Sequence, residues 1–348
     1  MRHPPHPPAP RVPPSPRWGE GWGEGVIAAL FLLVLSIVPA SAAEKTSLSY
    51  VNWNADFGYI MAAIDEGYFT AEGLDVELTS AGGGVAVPAM LSGTLDFTAS
   101  GSSAISAILK GAKLKVIMVG QDRPGWQLWS TQPQIKSIAD FKDQQIGVIT
   151  RGDTGEIAMR YLLKLHNLPR DYVAFTPLGN GASRMAAIST GSIPGGMLVW
   201  GEVEKLKTTG ALDKGRMVSN LTNEVHMVFN GLATSDRLLK EKPELVLKMV
   251  RALAKGQSFI RLKREKAVAM IAHYAKTEEK DAASDYDHIQ PAIARNGTVE
   301  PNVQSDEITL RSEMQDIPPA QRLTPKDVFD FGPIRRVDAE FNASGWKP

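Results

Sequence analysis

The chain has 348 residues, enough for one large domain or two medium ones, and 43% are hydrophobic, an ordinary globular balance. Lysine plus arginine equals aspartate plus glutamate at 38 each, which removes the electrostatic case for a nucleic-acid partner or an anionic membrane. The absence of cysteine excludes disulfides, thiolate metal sites, cysteine nucleophiles and a lipoprotein anchor, because that anchor is built on a cysteine.

Residues 1–43 have the pattern of a secretory signal peptide. An uncharged apolar run, Val26–Val38, is followed by small residues that place cleavage near Ala42 or Ala43. The alternative is a membrane anchor, but spanning a bilayer takes about 20 apolar residues. The proline- and glycine-rich extension at the start is atypical of a signal and leaves open a true start codon further downstream. We therefore predict an exported periplasmic protein that is not a lipoprotein.

Beyond the signal, short apolar strands alternate with amphipathic helices. The first series has strands at 48–53, 73–78, 95–99 and 114–119, with helices at 58–69, 85–91 and 104–110. The second series has strands at 146–149, 173–178, 197–199 and 227–233, with helices at 156–166, 182–190 and 202–207. This order predicts an α/β protein with mainly parallel sheets covered by helices.

After residue 233 the chain is predicted to be almost wholly helical. A long amphipathic helix at 243–263 is followed by shorter helices near 266–274, 281–294 and 305–315. Two α/β units and a helical tail predict two lobes. We expect the tail to return to the first lobe, since it has no strands for a third sheet.

Several segments carry a family pattern when they are taken in chain order. They are Phe57–Phe69 with Glu72–Glu77, Gly82–Gly84 with Met90–Phe97, Ser137–Lys142 with Ile146–Val148, Ala233–Ser235, and Pro243–Val246. Together they resemble the nitrate/sulfonate/taurine and thiamine-precursor solute-binding proteins of ABC importers, the NMT1/THI5-like family. The resemblance covers about residues 47–276 and is loose over the tail.

The resemblance implies a type II periplasmic-binding-protein fold, with two α/β lobes, two crossing strands, a cleft between the lobes and a helical tail packed on lobe 1. It divides the chain into lobe 1 at 44–130, lobe 2 at 131–229 and the remainder of lobe 1 at 230–348. Departures from the family pattern at residues 193–196 and near Glu202 concern the lobe 2 wall of the cleft. The resemblance therefore carries over no particular ligand.

Ligands of open α/β sheets bind beyond the carboxyl ends of the strands, and this rule selects three loops in lobe 1. Their aromatic rings, amides, glycines and helix-start hydroxyls suit ligand contact, although each loop is also explained as an ordinary turn or helix cap. The candidates are Asn52, Trp53, Asp56, Phe57, Gly83, Gly84, Ser100, Gly101 and Ser102. Val85 and Ala86 follow the glycines where a triphosphate-binding loop needs lysine and serine or threonine, which excludes that site.

The same rule selects three loops in lobe 2. Arg151 either binds a carboxylate or sulfonate through its fork or pairs with Asp153, and Trp200 is expected to face the cleft. Trp126 and Trp129 lie near the first crossing, where a tryptophan is either cleft wall or core. The lobe 2 candidates are Arg151, Gly152, Asp153, Thr154, Asn180, Trp200 and Glu202.

Helix starts, few formal charges and several aromatic rings predict a small organic anion or a polar heteroaromatic compound as ligand. The histidines beyond the signal are far apart in sequence and no histidine–carboxylate cluster is present, so we predict no metal and no cofactor. The chain has no Gly-x-Ser-x-Gly elbow. A related pyrimidine-synthase branch uses a cysteine-rich motif, which this cysteine-free chain lacks. We therefore expect a binding protein rather than an enzyme.

The predicted mechanism is hinge closure. Ligand contacts to both lobes favour the closed form, with rotation absorbed near residues 130–133 and 228–232. The predicted partners are a small molecule and, for a monomeric receptor, the permease and ATPase of an ABC importer. A membrane sensor is the alternative partner that the sequence leaves open.

Overall fold

A computed structural model describes residues 42–348, and the strands in this range form two five-stranded sheets. The strands are β1 (Glu44–Tyr50), β2 (Leu74–Ser80), β3 (Phe97–Thr98), β4 (Leu114–Gln121), β5 (Trp126–Ser130), β6 (Gln145–Val148), β7 (Ala174–Pro177), β8 (Gly195–Val199), β9 (Arg216–Asn220) and β10 (Asn230–Ser235). The helices are α1 (Gly58–Asp65), α2 (Tyr68–Ala71), α3 (Gly83–Ser92), α4 (Gly101–Ile108), α5 (Thr154–Leu165), α6 (Gly181–Ser189), α7 (Trp200–Thr208), α8 (Leu221–Glu224), α9 (Asp236–Glu241), α10 (Pro243–Leu262), α11 (Arg264–Ala275), α12 (Glu279–Ile289), α13 (Pro301–Met314), α14 (Pro325–Val328) and α15 (Gly332–Ser344).

The first sheet has the order β2-β1-β3-β10-β4, and we call the part of the molecule built on it lobe 1. Strand β1 is parallel to β2 and β3, because a helix carries the chain back before each new strand. Strand β10 is antiparallel to both β3 and β4, between which it lies. Every residue of β4 except Lys115 is buried, as expected for a strand covered on both faces.

The second sheet has the order β7-β6-β8-β5-β9 and defines lobe 2. Strand β6 is parallel to β7 and β8, whereas β5 is antiparallel to β8 and β9. The predicted lobe boundary at 130/131 therefore falls after β5, although β5 belongs to lobe 2. The sequence prediction missed β5 because the strand is short and Gln127 and Ser130 interrupt its apolar residues, which leaves neither a continuous apolar run nor a sustained alternation.

The chain passes between the lobes at residues 122–125 and 221–229. The two crossings run side by side, since Met227 N donates to Asp122 O at 3.0 Å and Phe229 N donates to Gln121 O at 3.0 Å. The first crossing precedes the predicted hinge at 130–133, which lies within and beyond β5. The hinge segments are thus held against each other by backbone hydrogen bonds.

The C-terminal tail, residues 236–348, packs on both lobes. Helix α10 starts with Pro243 at its first position and buries one face in the lobe 1 core against α1. Further along, Leu310 of α13 joins the core of lobe 2, and Lys164 of lobe 2 forms a 2.6 Å ion pair with Asp306. The tail packs on lobe 1 as predicted, and it also contacts lobe 2, which the sequence did not predict.

Most of the predicted signal peptide lies outside the described residues, which begin at Ala42. Within residues 42–348, no helix combines the length and the apolar character needed to cross a bilayer.

Candidate functional site

A cleft of about 510 Å³ lies between the two lobes. It continues at one end into a chamber of about 340 Å³ beside the tail, and at the other into one of about 440 Å³ beside α3 and α5. We call these the central cleft, the tail-side chamber and the outer chamber. Loops at the carboxyl ends of β1, β2, β3, β6 and β8 contribute to the walls. Five of the six loops selected from the sequence therefore meet in one place, and the loop after β7 is the exception.

The loop after β1 brings a carboxylate to the lobe 1 wall. Asp56 is half-buried and accepts a hydrogen bond from Asn54 Nδ2 at 3.0 Å. Burial raises the pKa of Asp56, and hydrogen bonds from Gln121 and Asn54 partly oppose that rise. The candidates Asn52 and Phe57 also line the central cleft.

Trp53, a predicted ligand contact, does not line this cleft. Its ring stacks on Tyr50 with centroids 3.8 Å apart and meets Tyr274 edge-on at 5.0 Å. These aromatic neighbours hold Trp53 against the lobe 1 core, so the structure places this residue away from the central cleft.

The loop between β3 and α4 forms a second part of the lobe 1 wall. Ser100 and Ser102 both line the central cleft. Ser100 is 7% exposed, and its hydroxyl has no hydrogen-bond partner within residues 42–348. Gly101 lies instead against the backbone, because a Cβ there would be 2.9 Å from the carbonyl oxygen of Gly231. Gly101 thus serves packing between α4 and β10 rather than the cleft.

The start of α5 brings lobe 2 residues to the outer chamber. Asp153 caps this helix, accepting from Glu156 N at 2.8 Å and Ile149 N at 2.8 Å, so its carboxylate is already engaged. The remaining candidates of this segment, Arg151, Gly152 and Thr154, line the outer chamber with Gly83, Gly84 and Lys110.

An ion pair between Arg184 and Glu202 forms the lobe 2 wall of the central cleft. Arg184 Nη2 donates to both carboxylate oxygens of Glu202, at 2.7 and 2.6 Å, and the Arg184 side chain is 2% exposed. Its guanidinium lies 5.0 Å from the ring centroid of Trp126. Arg184 Nε and Nη1 and Trp126 Nε1 lack hydrogen-bond partners in the described part of the chain. This wall therefore presents several buried donors without acceptors.

The sequence prediction included Glu202 but missed Arg184. Asn180 was chosen at the start of α6, yet it caps that helix by accepting from Ser183 N at 2.9 Å and does not line the cleft. Arg184 follows one turn later on the same helix. A signal for Arg184 was present in the sequence, because an arginine in the first turns of α6 lies near the strand end from which Asn180 was selected.

The tail-side chamber contains residues that the loop rule does not reach. Asp285 and His288 of α12 line it together with Trp200. Burial is the main cause that raises the pKa of Asp285 to about 6, followed by the negative charges of Asp56, Asp281 and Glu204. Burial also lowers the pKa of His288. Since α12 belongs to the tail, a rule based on strand ends could not identify these residues.

Charge is unevenly distributed along the cleft. The charged side chains lining its central part are Asp56, Asp153, Glu202 and Arg184, so acids exceed bases there. Lys110 and Arg151 lie in the outer chamber. Among the described residues, no group of three histidine, aspartate or glutamate side chains is arranged to hold a metal ion.

Comparison with solved structures shows the fold of this site. The periplasmic sulfonate-binding protein SsuA of Methylobacillus flagellatus superposes with a TM-score of 0.71 at 16% identity, over 88% of this chain and 97% of that chain. The periplasmic nitrate-binding protein NrtA of Synechocystis gives a TM-score of 0.68 at 12% identity, over 86% of this chain and 89% of that chain. The architecture is therefore that of periplasmic binding proteins.

Comparison of sequences identifies the family. The riboflavin-binding protein RibY of Chloroflexus aurantiacus is 27% identical over 232 residues, which cover 63% of this chain and 64% of the relative's own length. The family model described as NMT1/THI5 like matches residues 54–267. That match includes the residues from Asn54 to Asn230 that line the central cleft. The chain therefore belongs to the NMT1/THI5-like family.

Proposed function

We propose that this protein is the solute-binding receptor of an ABC importer. The observation that carries the proposal is a central cleft walled by two lobes, in which buried polar groups from both sides have no partner among the described residues. Structurally similar proteins are binding components of such importers. A ligand that satisfies these groups stabilises the arrangement in which the lobes are close together.

The charge of the central cleft favours one of the two ligand classes predicted from the sequence. Asp56 and Asp153 would repel a small organic anion, and the guanidinium of Arg184 is already neutralised by Glu202. A polar heteroaromatic compound meets no such repulsion and matches the rings of Phe57, Trp126 and Phe229. The relative RibY is named as a riboflavin-binding protein, and riboflavin is a heteroaromatic compound, which supports the same ligand class.

A neutral heteroaromatic ring with both carbonyl and N–H groups would suit the two walls. Trp126 and Arg184 offer donors on lobe 2, while Asn54 and Asp56 offer acceptors on lobe 1. A ligand that contacts both lobes shifts the population toward the closed form. Its hydrogen bonds to the second lobe form only when the lobes are close together, so they make its affinity for the closed form higher than for the open form.

The remaining parts of the proposal concern the cellular setting. The receptor is exported to the periplasm after removal of the predicted signal peptide, has no lipid anchor, acts as a monomer and catalyses no reaction. Mass spectrometry of the protein from a periplasmic extract should give a mature N-terminus near residue 44. A full-length chain recovered from the membrane fraction would contradict export with cleavage.

Thermal unfolding against a panel of compounds tests the function. The panel is riboflavin, thymine, cytosine, ethanesulfonate and nitrate. A bound compound at 100 times its Kd should add about 2.7 kcal/mol to the free energy of unfolding. We expect a heteroaromatic compound to raise the midpoint and the two anions to leave it unchanged. A rise with ethanesulfonate or nitrate alone would overturn the proposed ligand class.

Two aspartate variants localise any response. Asp56→Asn removes a carboxylate of the cleft, and Asp75→Asn removes an exposed one from β2. The first should reduce the ligand-induced rise and the second should not. Equal behaviour of the two variants would show that the compound binds elsewhere.

A further inference from the structure

A buried ion pair lies behind the cleft, on helix α13 of the tail. Arg311 Nε contacts Glu307 Oε2, and the two side chains are 1% and 0% exposed. Removing two charges from water is costly, and a buried ion pair is weak evidence for added stability, since apolar side chains of similar volume often serve as well. The contacts of this pair with the rest of the molecule indicate another role.

Arg311 holds residues 100–106, which comprise the end of the β3–α4 connection and the first turns of α4 and which we call the serine loop. Its Nη2 donates to Ser102 Oγ at 2.9 Å, and its Nη1 donates to Ser102 O at 3.0 Å and to Ser106 Oγ at 3.0 Å. Ser102 lines the central cleft and Ser106 lines the outer chamber. One guanidinium therefore fixes the orientation of the first turns of α4, which form part of the binding surface.

Glu307 holds the hinge. Its Oε1 accepts a hydrogen bond from Val228 N at 2.6 Å, and Val228 lies in the second crossing between the lobes. Tyr161 of lobe 2 faces the same carboxylate, whose charge adds to the effect of burial in raising the pKa of the Tyr161 hydroxyl. The carboxylate thus joins the tail to the hinge, and its charge acts on a side chain of a lobe 2 helix.

Glu307 and Arg311 are four positions apart on α13, so the hinge and the serine loop are fixed to the same rigid helix. We infer that Glu307 and Arg311 are positioning residues that couple the angle of the hinge to the orientation of Ser102 in the cleft. The inference rests on the proposed function, because it assigns regulation of the proposed binding site. Opening the lobes would move Val228 relative to α13 and thereby disturb the contacts of Arg311.

The test measures the hinge and the serine loop in the absence of any solute. Leu91→Cys and Leu165→Cys give exposed labelling positions on lobe 1 and lobe 2 of the otherwise cysteine-free chain. Spin labels there report the distribution of distances between the lobes. Hydrogen exchange by mass spectrometry reports the protection of amides 102–106 and of the Val228 segment.

The main variant is Arg311→Lys, which keeps the charge beside Glu307 but cannot reach all three acceptors on Ser102 and Ser106. We expect amides 102–106 to exchange about tenfold faster, which corresponds to the loss of one hydrogen bond to a charged group. We also expect the distribution of distances between the lobes to shift toward the open form. Ser106→Ala removes one acceptor without exposing a charge, and should give a smaller change in the same direction.

The matched control is Arg264→Lys. Arg264 makes a two-pronged pair with Asp287 at 2.9 and 2.6 Å, but both residues are exposed and both lie in the tail. This variant should leave the exchange of amides 102–106 and the distances between the lobes unchanged.

A lower unfolding midpoint for Arg311→Lys, with unchanged amide exchange and lobe distances, would mean that the pair serves packing alone and would overturn the inference. Because no solute enters these measurements, they are independent of whether any panel compound binds. A failure of the proposed function would appear in the thermal panel instead.

Discussion

The indole nitrogen of Trp200 donates a hydrogen bond to Ser284 Oγ at 2.6 Å, and the indole ring stacks on His288 with centroids 4.6 Å apart. Trp200 is the first residue of α7 in lobe 2, whereas Ser284 and His288 belong to α12 of the tail. These contacts close the end of the cleft. They can persist only while lobe 2 and the tail remain together.

Removing the Trp200–Ser284 hydrogen bond should shift the lobes toward the open form. Trp200→Phe keeps an aromatic ring for stacking but loses the donor, and Ser284→Ala loses the acceptor. Each should favour opening by about 1 kcal/mol, and the double variant should add little, since both remove the same bond. Distances between labelled lobes measure the effect. Fully additive changes would show that the two side chains act separately.

Breaking the Arg184–Glu202 pair should destabilise the protein. Arg184→Met leaves the largely buried carboxylate of Glu202 without its cation, at a cost of about 3 kcal/mol in the free energy of unfolding. Lys207→Met breaks an exposed pair with Glu204 on the same lobe and should cost less than about 1 kcal/mol. Denaturant titration of both variants checks the difference, and similar losses would contradict the distinction between them.

The free energy of unfolding should depend on the protonation of Asp285. Its pKa is raised from 3.8 to about 6, so the folded chain binds this proton more tightly than the unfolded chain. The contribution of Asp285 to the free energy of unfolding therefore falls as the pH rises from about 4 to 6. Asp285→Asn removes the cost of the buried charged carboxylate and should raise the free energy of unfolding by about 1 kcal/mol at pH 7.5. The gain is modest because solvent partly screens the carboxylate. At pH 4 the variant should have little effect.

His288 titrates in the opposite sense and must be separated from Asp285. Its lowered pKa means that the unfolded chain takes up its proton first, so stability falls as the pH drops. The difference between wild type and Asp285→Asn at each pH isolates the aspartate. A difference that is constant from pH 4 to 7.5 would contradict the raised pKa.

Gly101→Ala should destabilise the protein although Gly101 does not line the cleft. The new Cβ would lie 2.9 Å from the carbonyl oxygen of Gly231, and a backbone atom of a central strand has little room to move. We expect a loss of about 2 kcal/mol. Gly84→Ala is the control, because a Cβ there meets no atom within 4 Å among the described residues. A normal unfolding midpoint for Gly101→Ala would show that β10 can shift.

Sequence patterns identified those parts of the fold in which strands and helices alternate. The strands around Leu48, Leu114 and Ile146 were predicted because buried apolar runs end at recognisable turns. Strand β5 was missed, since Gln127 and Ser130 interrupt its five residues and leave no apolar run or sustained alternation. Helix α15 was also missed, although it packs on α10, because its apolar residues are sparse in the sequence.

The candidate site was predictable where it follows strand ends. Asp56, Ser100 and Glu202 were selected by that rule, and the structure brings them to one cleft. Arg184 and Asp285 were missed because tertiary packing, not adjacency to a strand end, carries them there. Trp53 shows the converse, since it follows a strand but turns toward Tyr50.

The position of β10 also affects how the chain can be assembled. This strand lies between β3 and β4 in the first sheet, yet the whole of lobe 2 separates Gln121 from Asn230 along the chain. Pairing over such a separation forms slowly, whereas lobe 2 is built from one continuous stretch. Until β10 arrives, β3 and β4 have no neighbour between them. The topology therefore delays completion of the first sheet until Ser235 has been synthesised, so that lobe 2 can fold while the first sheet still lacks its fourth strand in sheet order.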